Sequence, residues 1–171
     1  MLIVMCGLPG SGKSAMAAAL AKALVVPVLS VDPVEAAMWR AGVDRDQPTG
    51  LAAYVVVEAL AREILKLGQT VIVDAVNDVP EARRQWEPLD PRYIEVVCGD
   101  PVLHRKRLEQ RQRDIEGFEE PTWAQVEQRR KNFEEWMGGR ITVDSRDDLS
   151  DNVKLVLDRL SSPGPAAIQY E

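Results

Sequence analysis

Among 171 residues there is a single histidine, and there are only two cysteines. So few soft ligands leave no Cys/His spacing of the zinc type. They also leave no histidine next to a candidate nucleophile; His104 reads as a helix-surface residue. Cys6 and Cys98 each fall within an apolar, strand-like run. Two free core thiols are therefore expected in preference to a disulfide. No apolar run approaches 18 residues, which excludes a membrane-spanning helix. The first residues carry neither a basic flank nor a cleavage site, so no signal peptide is expected. Positive charge is in deficit: 21 Lys and Arg stand against 27 Asp and Glu, a formal net charge of −6. That balance argues against a dedicated nucleic-acid binder, while leaving room for a local basic patch. No internal repeat or splitting linker interrupts the chain. A cytoplasmic setting, with the protein a monomer or homodimer, is the expectation.

What is present begins at Gly7-Leu8-Pro9-Gly10-Ser11-Gly12-Lys13-Ser14. This run fits G-x-x-x-x-G-K-[ST], the phosphate-binding loop, and its surroundings are those the motif requires. Leu2 to Cys6 reads as a buried strand before it, and Ser14 to Leu24, rich in Ala and Leu, as a helix after it. The glycines let the backbone visit positive φ, so successive N–H groups can form a nest for anionic oxygens. The helix N-terminus adds unpaired N–H groups and the positive end of its dipole. Residues Gly7 to Ala15 are thus the expected nucleotide cradle, with Lys13 reaching the β- and γ-phosphates and the Ser14 hydroxyl ligating Mg²⁺.

Beyond the loop, strand-like and helical stretches alternate. Strands are expected at Val25–Ser30, Thr70–Asp74, Tyr93–Cys98 and Arg140–Asp144. Helices are expected at Pro33–Ala41, Leu51–Leu67, Pro80–Pro88, Pro101–Ile115, Thr122–Met137 and Asn152–Leu160. Thr122 and Gln125 form a candidate capping box, and Gly138-Gly139 a stop. Such alternation implies a parallel sheet with helices on both faces, and the near-continuous apolar strands fit burial on both sides. One domain over residues 1–160 is expected, with a Pro/Gly-rich, loose tail from 161 to 171.

In an open α/β sheet, ligands sit at the carboxyl ends of the strands, where Asp32, Asp74 and Asp144 fall. Asp32 followed by Pro33 and Glu35 is a helix start, with Asp as the cap. It is also placed to act as a general base toward an attacking hydroxyl. Asp74 ends an apolar strand in the manner of a Walker B acid that serves Mg²⁺, or else closes a turn ahead of an Asp78-x-x-Glu81 cap. Asp144 reads as a turn residue. Five positive charges (Arg105, Lys106, Arg107, Arg111, Arg113) occupy nine positions. The i,i+4 spacing of Arg107 and Arg111 puts them on one helix face. They read either as a solvated face or as guanidinium forks for transferring phosphate. Residues 113–121 could then belong to a mobile lid. The tryptophans read mostly as core or lid packing, with Trp39, two turns after Asp32, a candidate for an acceptor pocket.

The run GLPGSGKS, Ser30-Val31-Asp32, Thr70 to Asp74 with Arg83-Arg84-Gln85-Trp86, and Cys98 to Pro101 leading into Arg107-x-x-x-Arg111 together resemble the small P-loop kinases of the AAA-like ATPase group. Polynucleotide kinase, chloramphenicol phosphotransferase, zeta toxins and gluconate kinase belong to that group. The resemblance covers roughly residues 1 to 160. It implies a three-layer fold with a five-stranded parallel sheet of order 2-3-1-4-5 and a small helical lid near 105–125. It places the catalytic base at Asp32, and lid arginines at Arg107 and Arg111. It also implies ATP and Mg²⁺ as cofactors, with Lys13, Asp32 and Arg111 catalytic and Ser14 with Asp74 at the metal. The polynucleotide-kinase pattern carries Arg three residues after the base; this chain has Glu35, which favours an uncharged or cationic acceptor. The reading is a kinase acting on a hydroxyl of a small molecule such as a nucleoside, drug or sugar. A 5′-hydroxyl polynucleotide kinase and a non-kinase ATPase switch are the alternatives.

Overall fold

The computed structural model describes residues 1–112, 114–134, 136 and 138–162. The expected strands and helices form in the expected order: β1 (Leu2–Cys6), α1 (Lys13–Leu24), β2 (Val28–Ser30), α2 (Val31–Arg40), α3 (Thr49–Lys66), β3 (Val71–Asp74), α4 (Pro80–Arg84), β4 (Pro91–Val97), α5 (Pro101–Glu109), α6 (Trp123–Glu134), β5 (Ile141–Asp144) and α7 (Leu149–Ser161). A short 3₁₀ turn, Glu87–Leu89, completes the stretch that reads as one helix in the sequence.

All five strands pair in parallel, in the order β2-β3-β1-β4-β5. Strand alternation divides β1 between two cores. Leu2, Val4 and Cys6 face Ala53, Val57 and Ala61 of α3, with Trp86 and residues of α5 and α6 extending that layer. Ile3 and Met5 face Met16, Ala17 and Leu20 of α1 and Val156 of α7. Both faces are covered, as the apolar strands require. Cys6 and Cys98 are buried free thiols, as expected. No helix among the described residues is long and apolar enough to cross a membrane.

Several boundaries differ from expectation for identifiable reasons. α2 starts one residue before Asp32, with Ser30 as its N-cap, so Asp32 lies inside the first turn and is no cap. Val79 precedes α4, so Asp78 does not cap that helix either. α5 stops at Glu109, six residues short of Ile115. Arg111 therefore leaves the helix and does not share a face with Arg107. The Thr122–Gln125 capping box forms: the Thr122 amide donates to Gln125 Oε1 at 2.8 Å, and the Gln125 amide to Thr122 Oγ1 at 3.4 Å. α6 ends before the Gly138-Gly139 pair. Arg113 and most of the expected tail, 163–171, lie outside the described residues.

Candidate nucleotide and acceptor site

The loop between β1 and α1 has the backbone its glycines permit. Gly7, Gly10 and Gly12 all have positive φ, and Gly12 is the N-cap of α1. At Gly7 the requirement is also steric, since a Cβ there would lie 2.5 Å from the carbonyl oxygen of Val96. The register of the sheet aligns Ser30 and Met5 with Asp74. The ends of β1, β2 and β3 therefore bring the loop, Asp32 and Asp74 to one edge.

Lys13 is buried and paired with Asp74, also buried. Burial opposes ionisation of Asp74, but the Lys13 charge and hydrogen bond outweigh it. With the Ser14 hydroxyl and Arg111 they hold the carboxyl below its usual range. Asp74 thus touches both Lys13 and Ser14, and the Ser14 hydroxyl with the Asp74 carboxylate is a pair of hard oxygen donors of the kind that could hold Mg²⁺.

Three cavities open in a row along this edge. The central one, about 230 Å³, is lined by Pro9, Gly10, Lys13, Ser14, Ala15, Asp32, Arg107 and Arg111, together with Leu8 and Gly12 of the loop. The second, about 360 Å³, continues past Asp32 and Arg111 to Phe118, Glu119, Glu120 and Arg129. The third, about 230 Å³, lies beyond Arg107, between α1 and the β5–α7 turn, against Ser145, Asp147 and Asn152. Asp32 and Arg111 border both the central and second cavities; Arg107 borders both the central and third. Gly7 and Ser11 line a separate cavity of about 300 Å³ behind the loop, with Glu95, Arg130 and Phe133.

Arg107 is oriented by the β5–α7 turn: it donates to Ser145 Oγ at 2.7 Å and to the Ser145 carbonyl at 3.1 Å. Arg111 pairs with Glu120 at 3.3 Å. Asp144 behaves as a turn residue, accepting from the Arg146 amide at 2.9 Å and the Arg146 Nε at 2.8 Å.

Four residues take places the sequence reading did not give them. His104 is 1% exposed, contrary to the surface position expected. Its Nε2 lies 2.8 Å from the Pro9 carbonyl oxygen and its Nδ1 3.4 Å from Arg130 Nη2. The ring meets Trp123 edge-on. As the neutral Nε2–H tautomer it donates to the phosphate loop and accepts from α6. Burial, reinforced by Arg130, holds its pKa below the usual value despite the Pro9 contact. Glu35, expected to face the acceptor, accepts from Thr49 Oγ1 at 2.8 Å and binds α2 to α3. Trp39 donates from Nε1 to Thr49 Oγ1 at 3.0 Å and stacks on Phe118, so it supports the second cavity through Phe118 without lining it. Asn77, in the stretch after Asp74 where a turn was one reading, is fully buried at φ 55°. It donates to the Met5 carbonyl and accepts from Trp86 Nε1, both at 2.9 Å. No local pattern announces the contacts of His104 with Pro9 or of Asn77 with Met5, which are 95 and 72 residues apart in sequence.

Comparison with known proteins agrees with this geometry. A family model described as an AAA domain matches residues 2–136. A putative kinase from Chloroflexus aurantiacus is similar in fold, with TM-score 0.72 at 24% identity over 92% of this chain and 96% of that one. A sugar kinase from Janibacter gives TM-score 0.72 at 16% identity, over 99% and 98% of the two chains. Kti12 of Chaetomium thermophilum, in complex with ADP-AlF3, gives 0.66 at 21% identity, over 95% and 100%. No curated protein sequence matches significantly. With the loop, the parallel order β2-β3-β1-β4-β5 and a family match over most of its length, the chain belongs to the AAA-domain family and has the P-loop kinase fold.

Proposed function

We propose that this protein is an ATP- and Mg²⁺-dependent kinase that moves the γ-phosphoryl group to a hydroxyl of a small, polar molecule. One observation carries the reading: Asp32 and Arg111 border both the phosphate cavity and the cavity beyond it. A hydroxyl entering from the second cavity meets a carboxylate and a guanidinium on the boundary with the first.

In this reading Lys13 turns from Asp74 to the β- and γ-phosphates when nucleotide enters. Ser14 and Asp74 fit Mg²⁺, which would neutralise charge on the phosphate oxygens. Asp32 accepts the proton of the acceptor hydroxyl as its oxygen bonds to the γ-phosphorus and the bond to the β,γ-bridging oxygen breaks, releasing ADP. Arg111 supports charge on the transferring group from the side of the second cavity, and Arg107 from the side of the third. The ADP-AlF3 complex of the structurally similar Kti12 supports nucleotide binding.

Residues 105–125 serve as a lid on a kinase domain spanning 1–160. Arg40 donates to the Glu116 carbonyl at 3.0 Å and Arg45 to the Gly117 carbonyl at 2.7 Å, so α2 and the turn after it hold the loop over the acceptor cavity. The acceptor cavity mixes Asp32, Glu119 and Glu120 with Arg111 and Arg129 around the Phe118 ring. That balance suits a neutral, hydroxyl-rich molecule, such as a sugar, nucleoside or drug, better than a polyanion. With Glu35 committed to Thr49, no cationic preference comes from that side chain. The free thiols fit a reducing cytoplasm.

The test is a mass-spectrometric screen of metabolites and antibiotics for an ATP-dependent gain of one phosphate, run in parallel with Asp32→Asn. A product formed by the native chain and lost in Asp32→Asn is expected. Labelled phosphate on a 5′-hydroxyl oligonucleotide would transfer the assignment to polynucleotide chemistry. ATP hydrolysis with no phosphorylated product would identify an ATPase switch.

A further inference from the structure

The phosphate loop opens with a β-turn. Pro9 and Gly10 are its central residues, Gly10 has φ 83°, and the Ser11 amide donates to the Leu8 carbonyl at 3.0 Å. Proline first, glycine at positive φ second and that closing bond are the marks of a type II turn. A type I turn differs in the peptide between the two central residues, which is rotated by about half a turn; proline is accepted at the first position of both. Glycine takes either sign of φ. The Pro9–Gly10 peptide is therefore an element with two orientations, and a contact from outside the turn can decide between them.

The choice matters to a phosphate. In a trans peptide the carbonyl and the N–H point in opposite directions, and no peptide among the described residues is cis. With the Pro9 carbonyl turned toward α5, the Gly10 N–H is turned away from that helix. Pro9 and Gly10 both line the phosphate cavity with Lys13 and Ser14. The flipped turn would present a carbonyl oxygen to anionic oxygens in place of a donor.

His104 holds that carbonyl from the inward side of α5. Its Nε2 lies 2.8 Å from the Pro9 oxygen, which has no other hydrogen-bond partner among the described residues. The helix is also close to Gly10, where a Cβ would lie 3.2 Å from His104 Cδ2 and 3.1 Å from Leu108 Cβ. The other side of the ring fixes its tautomer. Arg130 Nη2 lies 3.4 Å from Nδ1. A guanidinium only donates, so Nδ1 is the acceptor and Nε2 carries the proton. Trp123 packs edge-on against the ring and holds its plane. We propose that His104 is the positioning residue of the phosphate loop: it keeps the Pro9–Gly10 peptide in the orientation that offers the Gly10 N–H to a nucleotide phosphate. The proposal rests on the nucleotide-binding part of the function proposed above. His104 lines none of the three cavities along the sheet edge, so it acts through the loop and touches no substrate.

Two measurements test this role. The chain has one histidine, so a long-range ¹H–¹⁵N spectrum of the native protein near neutral pH contains a single imidazole. A ring protonated at Nε2 is expected, with and without Mg·ADP. A ring protonated at Nδ1, or averaging between the two tautomers, would overturn the proposal. This spectrum needs no variant, so it decides even if a substitution prevents folding.

The second measurement is calorimetric titration with Mg·ATP. It compares the native chain, His104→Gln, which keeps an N–H for Pro9, and His104→Leu, which fills similar space without one. His104→Leu should bind about 10- to 100-fold more weakly, the usual effect of one hydrogen bond to a charged group. His104→Gln should stay within about threefold of the native chain. A residue that only supported the fold would lower the melting temperature of both variants and, where they remain folded, the affinity of neither. Equal affinity in the native chain and His104→Leu, or an equal loss in both variants, would overturn the proposal and leave the nucleotide site standing. No binding to the native chain would overturn the reading beneath it, and the proposal with it.

Discussion

Asp32 sits in the first turn of α2 on the boundary between two cavities, and Asp32→Asn keeps its volume while removing its capacity to take a proton. The expected outcome is unchanged Mg·ATP affinity by calorimetry with turnover reduced about 10²- to 10⁴-fold, the usual contribution of a general base. An unchanged rate would remove the assignment. Gly7 gives a second, independent handle on the loop. At φ 147°, an added Cβ would lie 2.5 Å from the Val96 carbonyl. Gly7→Ala must therefore displace the loop from β4, and a large loss of nucleotide affinity in a folded protein is expected. His104 offers a pH-dependent test. Its pKa is lowered in the folded chain, so the unfolded chain binds a proton first as pH falls through about 6.5. The contribution of the neutral ring is complete above that value and declines below it. His104→Gln keeps an N–H donor for Pro9 without titrating. The native chain should lose stability between about pH 7.5 and 5.5, measured by urea unfolding, more steeply than His104→Gln does; parallel slopes would contradict this role.

The termini of α2 and α5 show where local pattern and tertiary structure part. The phosphate loop and the alternation of parallel strands with helices were legible because their determinants are short-range: glycines at fixed offsets, and apolar runs between helical stretches; the strand order came from the resemblance to P-loop kinases, and the sheet has it. Asp32-Pro33 looked like a cap and first helical residue, yet the first turn forms one residue earlier, from Ser30 and Val31 at the end of β2. Charged helix formers run past Glu109, yet α5 ends there and the chain turns so that Arg111 meets Glu120 and the phosphate cavity. Spacing put Arg107 and Arg111 on one helix face; they line the same cavity, but Arg107 from α5 and Arg111 from the loop after it. His104 and Asn77 were illegible for a related cause: their partners Pro9 and Met5 are 95 and 72 residues away. Asn77 links β1, Trp86 and Arg83 in one buried set of hydrogen bonds. Asn77→Ala strands the Trp86 N–H and the Met5 carbonyl, and should lower stability by about 2–4 kcal/mol in chemical denaturation.

Taken together, two covered sheet faces form a rigid platform whose carboxyl edge carries three adjoining cavities. The charged side chains at each boundary are positioned by separate elements: Arg107 by the β5–α7 turn, Arg111 by the loop before α6, Asp32 by α2. Under the proposed function, such a division would let the acceptor cavity vary while the nucleotide end stays the same. All of it depends on the glycine loop and Lys13 closing over a triphosphate. Isothermal titration of the folded chain with Mg·ATP tests that directly. One site per chain is expected, with affinity abolished in Gly7→Ala; absence of binding to the native chain at millimolar nucleotide would contradict the account.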